Sequence, residues 1–188
     1  MVLANTIVEE ALEKIFDVSK RFGAVLDAAG IPYRVIGGLA VFLHVDRLDP
    51  MAARLTKDVD VAIDRQNLQA IRLAVEPHGF VYRHVAGIDM FLDAGIVKAR
   101  SAVHAVFINE KVRPTDLAEI PASDPVRTQE GIWICSVADL VRMKLTSYRL
   151  KDKVHIQDLD GVGLITPEIE AGLPEVMQER LRDVRSQE

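Results

Sequence analysis

Two aspartates one residue apart, Asp58 and Asp60, carry the strongest chemical signal in the chain. They lie in Lys57-Asp-Val-Asp-Val-Ala-Ile63, whose alternation predicts a β-strand over Asp58–Ile63. Side chains at i and i+2 of a strand share a face, so the two carboxylates stand side by side. Val59, Val61 and Ile63 anchor the strand from the other face. Adjacent like charges raise at least one pKa unless a cation lies between them. Mg²⁺ (or Mn²⁺) suits such an oxygen pair, and Mg²⁺ commonly brings phosphate oxygens with it. An isolated Asp-x-Asp is most simply a solvated sheet face, so the surroundings decide.

Upstream, Tyr33-Arg-Val-Ile-Gly-Gly38 puts two glycines where a predicted strand, Tyr33–Ile36, meets a predicted helix, Leu39–Val45. Without Cβ atoms the backbone turns tightly, and Gly37 and Gly38 leave their N–H groups open to a phosphate. A helix N-terminus adds a favourable end for an anion. No Gly-Lys-Ser/Thr follows, so this is neither a P-loop nor a dinucleotide fingerprint. Downstream, Arg142–Lys153 holds five basic residues, Arg142, Lys144, Arg149, Lys151 and Lys153, against one acid, Asp152. Lys144, Tyr148 and Lys151 share one face if a single helix runs that far. Lys144 is the expected phosphate contact, while Asp152 and Asp158 are read as helix caps or as partners of basic side chains.

The elements that must position these groups alternate along the chain. A helix is predicted over residues 6–29, with Thr6 and Glu9 as a capping box and Gly30 and Pro32 ending it. Residues 46–57 read as a loop and Asn67–Glu76 as a helix ended by Pro77 and Gly79. Strands are predicted at Phe80–His84, Asp89–Leu92 and Ala102–Ile108. Pro114–Glu130, with three prolines, reads as an irregular connection. Trp133 and Cys135 read as core or lid packing. Ser136 with Asp139 caps a helix to about Leu150, a second helix covers about Lys153–Val162, and Thr166-Pro167 caps the final segment. The expected class is α+β: a mixed sheet packed by helices over residues 1–130 and a helical segment over 131–188, together one compact domain.

Composition narrows the functional classes. The 188 residues carry 23 Lys+Arg against 28 Asp+Glu, a net charge of −5, which argues against coating nucleic acid by bulk charge. With 49% apolar and 27% charged residues the chain has material for a real core and no low-complexity character. One cysteine excludes an internal disulfide, no apolar run crosses a bilayer, and acids stand where a secretory signal needs bases. The expectation is therefore a cytoplasmic protein without a membrane partner. His44, His78, His84 and His155 have no metal-ligand spacing, and aromatics are too sparse for a base-stacking platform.

Strand, Gly-Gly, helix, then Arg54-Leu-Thr-Lys-Asp58-Val-Asp60 on an apolar strand resembles the DNA polymerase β-like nucleotidyltransferase superfamily. Within it the chain is similar to the AbiEii-type toxins, a likeness extended by Met143-Lys-Leu-Thr-Ser-Tyr-Arg-Leu-Lys-Asp152 through Asp158. The resemblance implies a nucleotidyltransferase-like fold with metal ligands at Asp58 and Asp60. It puts triphosphate contacts at Gly37 and Gly38, and nucleotide contacts at Arg54, Thr56, Lys144, Arg149 and Lys151. The activity implied is Mg²⁺-dependent transfer of a nucleotidyl group from an NTP to a hydroxyl on an RNA end or a protein. A toxin role implies an antitoxin partner. The superfamily's third carboxylate, on a later strand, is matched here by His104, either a general base or the mark of attenuated chemistry. The alternatives are a nucleotide- or protein-binding module without turnover and a small antibiotic-modifying transferase.

Overall fold

The computed structural model describes residues 2–94 and 102–187, the side chains of residues 2–9 and 11 excepted. Helix α1 (Val2–Ala28) starts before the predicted residue 6; the Thr6–Glu9 cap lies outside the described side chains. It buries Val18, Phe22 and Leu26, a helical spacing that faces one layer. Then follow β1 (Tyr33–Ile36), α2 (Gly37–Asp46), β2 (Val59–Ile63) and α3 (Leu68–Val75). β3 (Phe80–Val85), β4 (Ile88–Asp93) and β5 (Ala102–Phe107) come next.

Two short strands follow, β6 (Val126–Arg127) inside the stretch predicted to be irregular and β7 (Trp133–Ile134) just after it, in the run read as core or lid packing. Both pair at the edge beyond β1, with β7 parallel to it. Two-residue strands cannot display the alternation that reveals a strand, so the expectation fails there. The helices α4 (Val137–Ser147), α5 (Leu150–Gly161), α6 (Pro167–Ala171) and α7 (Glu175–Arg185) complete the chain. Ser136 accepts the Asp139 N–H and so caps α4.

The sheet order is β3-β4-β5-β2-β1-β7-β6; among these strands β5 and β2, and β1 and β7, pair in parallel and the others antiparallel. Register sorts the side chains into two faces. Val35, Val61, Ala105 and Phe91 belong to one, which is buried; there Phe22 of α1 packs edge-on against Phe80. The other face carries Ile36, Asp60, His104 and Met90 side by side in register. Farther along that face the chain after β5 closes over Arg34, which donates to the carbonyls of Pro121 and Ser123.

Candidate active site

At the end of β1 the chain turns into α2 through Gly37, whose φ of +70° is a conformation that L side chains rarely adopt. A Cβ there would stand 2.3 Å from Asp60 Oδ2. A Cβ on Gly38 would stand 2.6 Å from Thr56 Oγ1 and 3.6 Å from His155 Cε1. Both glycines are therefore required by close approach, the first to a carboxylate and the second to a hydroxyl. No side chain caps α2 at Ile36, and the first turn of a helix leaves N–H groups without intrahelical partners. Gly37 and Gly38 begin α2, two residues earlier than predicted.

Asp60 is half-buried while Asp58, just before β2, is exposed. Across the parallel pairing His104 Nδ1 lies 3.4 Å from Asp60 Oδ1. The Asp60 bond, then the charges of Asp60 and Asp58, raise the His104 pKa against burial and the repulsion of Lys151. Thr56 Oγ1 lies 3.5 Å from the Asp58 N–H, at the bend that leads into β2. Arg54 donates from Nε to Asp158 Oδ1 at 2.7 Å, which ties the loop before the aspartates to α5. The structure thus brings Gly37, Gly38, Thr56, Asp60 and His104 to one corner, with Asp58 in electrostatic reach.

The basic candidates occupy a different setting. Lys144 is buried and donates from Nζ to Asp152 Oδ1 at 3.3 Å, and Asp152 is wholly buried. Asp152 also accepts from Ser147 Oγ, from Arg149 Nε and from the Arg149 N–H, closing a capping box on α5. Burial pushes the Asp152 carboxyl up, but the donors, Arg149 foremost, more than offset it and hold it at about 2. Burial lowers the Lys144 pKa despite Asp152, and the charge of Asp60 reaches both Lys144 and Arg149. Lys151 is exposed.

The single helical face expected for Lys144, Tyr148 and Lys151 does not exist. α4 ends at Ser147 and Tyr148 takes a left-handed φ of +48°. Arg180 of α7 donates to the Leu145 and Thr146 carbonyls, and Tyr148 donates its hydroxyl to the Arg180 carbonyl. A cation on the last carbonyls satisfies the helix end there. α5 accordingly begins at Leu150, earlier than predicted.

Sequence reasoning passed over His155. It follows Asp152 by three residues and precedes Asp158 by three, so the three share one face of α5. That polar stripe was the available signal. Burial first, then Lys144 and its neighbouring cations, lower the His155 pKa to about 4. Its Nδ1 and Asp158 Oδ2 are both buried without a hydrogen-bond partner.

The donor chemistry fits a divalent cation: two carboxylates at one strand end, beside a turn in which any larger residue would crowd Asp60. Among the described residues no three His, Cys, Asp or Glu side chains form a ready-made cage. Mg²⁺ commonly uses one or two carboxylates and takes its other ligands from phosphate and water.

No family model matches the chain, and no curated protein matches it. Among solved structures, an antigenic nucleotidyltransferase-like protein from Paracoccidioides brasiliensis superposes with a TM-score of 0.59 at 19% identity, over 93% of this chain and 88% of that one. The fold is nucleotidyltransferase-like. The antibiotic-resistance factor ANT(2'')-Ia superposes with a TM-score of 0.50 in solution, at 12% identity over 92% of this chain and 83% of that one. Its crystal structure with adenylyl-2''-tobramycin gives a TM-score of 0.50 at 13% identity, over 92% and 88%. The chain has, among its described residues, no helix long and apolar enough to cross a membrane.

Proposed function

We propose that the chain is a nucleotidyltransferase that moves an NMP group from an NTP to a hydroxyl, with Asp58 and Asp60 holding the divalent cation. The observation that carries this reading is the fit of Gly37 against Asp60, which sets a bare helix N-terminus beside a carboxylate pair. A bound divalent cation would supply charge neutralisation for the triphosphate and polarise the attacking oxygen. The backbone N–H groups at Gly37 and Gly38 receive the triphosphate, assisted by the favourable end of α2. The acceptor oxygen bonds to the α-phosphorus, the bond from that phosphorus to the β-bridging oxygen breaks, and pyrophosphate leaves. The hydroxyl proton departs to water at the open rim, where Asp58 is exposed. Lys151 stands at the same rim, close enough for its charge to act on His104, and contributes positive charge for the leaving phosphates.

The acceptor proposed is macromolecular, an RNA end or a protein hydroxyl, in keeping with the AbiEii-type resemblance and with a toxin partnered by an antitoxin. Exposed apolar side chains suit a macromolecular acceptor: Leu150, next to Lys151 at the start of α5, is 83% exposed and Met51, in the loop before Asp58, is 93% exposed. A cavity of about 260 Å³ lined by Asp27, Tyr33 and Trp133 lies at the opposite end of β1 from Gly37. The adenylated tobramycin of ANT(2'')-Ia marks the small-acceptor alternative for this fold. A second reading, a binding module without turnover, is favoured by one observation: an imidazole, His104, stands where the resemblance expects a third carboxylate.

The test is transfer of label from an α-phosphate-labelled NTP to RNA, protein or aminoglycoside in the presence of Mg²⁺ or Mn²⁺. Transfer by the wild type, abolished in the D58N/D60N double variant, supports the enzyme. NTP binding with no labelled acceptor supports the binding module, and neither binding nor transfer contradicts both.

A further inference from the structure

The two carboxylates of the corner are held by unequal means. Asp60 lies inside β2, in register with Ile36 of β1 and His104 of β5. Asp58 is exposed, stands one residue before β2 begins, and follows a stretch from residue 47 that is neither helix nor strand. Residues i and i+2 share a face only while the backbone stays extended, so Asp58 needs a hold from outside the strand to stay beside Asp60. Among the described residues, Arg54 makes the one side-chain hydrogen bond that leaves residues 53–58, from Nε to Asp158 Oδ1 on α5 at 2.7 Å. Two residues on, Thr56 is fitted against Gly38, and its Oγ1 lies 3.5 Å from the Asp58 N–H. The segment is thus pinned at one end by β2 and at the other by α5.

The pin is a poor device for stability. The Asp158 side chain is 6% exposed and that of Arg54 66% exposed, so the carboxylate gives up its hydration for a partner that stays in water. Its second oxygen, Oδ2, is buried without a hydrogen-bond partner, which costs stability. Asp152, two turns earlier on α5, is by contrast satisfied by Lys144, Ser147 and Arg149. A carboxylate enclosed with one bond contributes little to the fold, yet it aims one guanidinium in one direction. We propose that Asp158 is a positioning residue: through Arg54 it holds the loop that carries Asp58 and so sets the placement of Asp58 beside Asp60. The inference rests on the cation site proposed above and adds no ligand to it.

The experiment uses the full chain and reads three quantities: Mn²⁺ affinity by electron paramagnetic resonance with a non-hydrolysable ATP analogue, amide hydrogen exchange without metal, and the urea midpoint. In D158A, Lys57 and Asp58 should lose exchange protection while β2 keeps it, and Mn²⁺ affinity should fall about tenfold, the lower end of what loss of an outer-shell partner costs. The urea midpoint of D158A should hold or rise, because Arg54 returns to water and the unpartnered oxygen is gone. In an R54A background, adding D158A should change Mn²⁺ affinity by less than about twofold, since the two act as a unit. D158A with wild-type protection and wild-type affinity would overturn the proposal. So would an affinity loss that persists in the R54A background, or one that follows a fall in the urea midpoint. If D58N/D60N binds Mn²⁺ like the wild type, the cation site itself is wrong, a separate failure.

Discussion

The β2–α2 corner and the α4–α5 junction both gather acids, bases and a histidine, yet they use them in opposite ways. At the corner, Asp58 is exposed, Asp60 is half-buried and His104 Nδ1 lies 3.4 Å from Asp60 Oδ1, so the carboxylates keep lone pairs for an incoming ion. At the junction, Asp152 is wholly enclosed and accepts from Lys144, Ser147 and Arg149, which leaves little capacity for a ligand. The lesson concerns basic clusters: charge that looks available along a sequence can be spent on a buried carboxylate. The corner holds capacity open, and the junction locks the helices that stand behind it.

The largest expected effect breaks the junction. D152A leaves the Lys144 ammonium buried without its partner, and such a loss destabilises by about 3–5 kcal/mol. K144M combined with D152N should recover much of that loss, because no uncompensated charge remains. Urea unfolding of the three variants measures both, and equal stability for D152A and the wild type would erase the distinction between the two regions.

A smaller effect separates the two glycines of the corner. G37A forces an alanine into a left-handed backbone, which costs roughly 1–2 kcal/mol, and drives its Cβ into Asp60, so cation binding should be lost as well. G38A has an ordinary backbone but sets its Cβ against Thr56 Oγ1 and Cβ, with His155 Cε1 at van der Waals distance, so it costs packing strain without backbone strain and should be the milder of the two. Thermal unfolding together with calorimetric Mn²⁺ binding compares them.

The smallest effect is a pair of opposed pH slopes. His155 is held at about 4 when folded, below its unfolded value of about 6.5. The unfolded chain binds more protons across that window, so the His155 contribution is complete above about pH 6.5 and fades as pH falls towards 4. His104 is raised, so its bond to Asp60 contributes below about pH 6.5 and is lost as pH rises through its folded value. Measured by urea midpoints without metal, H155Q should flatten the acid-side loss and H104A should flatten the loss on the other side. Identical profiles for the two variants would contradict the difference in their surroundings.

How much of this was legible depends on range. The alternation Val59, Val61, Ile63 and the Gly-Gly pair are local, and they located the corner, as Ser136 located the start of α4. The break at Tyr148 was not legible, because a left-handed tyrosine has no local signature and is held by Arg180, 32 residues away. The engagement of Lys144 by Asp152 depends on that break, so the shared basic face failed with it. β6 and β7 were hidden by their brevity. The partner of Arg54 lies 104 residues away on α5, a distance that no local pattern encodes.

The most direct test is a crystal structure of the full chain with Mn²⁺ and a non-hydrolysable NTP, the metal located by anomalous scattering. The expected result is an anomalous peak bound by Asp58 and Asp60, with the triphosphate on the N–H groups of Gly37 and Gly38. A metal and nucleotide bound elsewhere, with Asp60 still facing an empty turn, would contradict it.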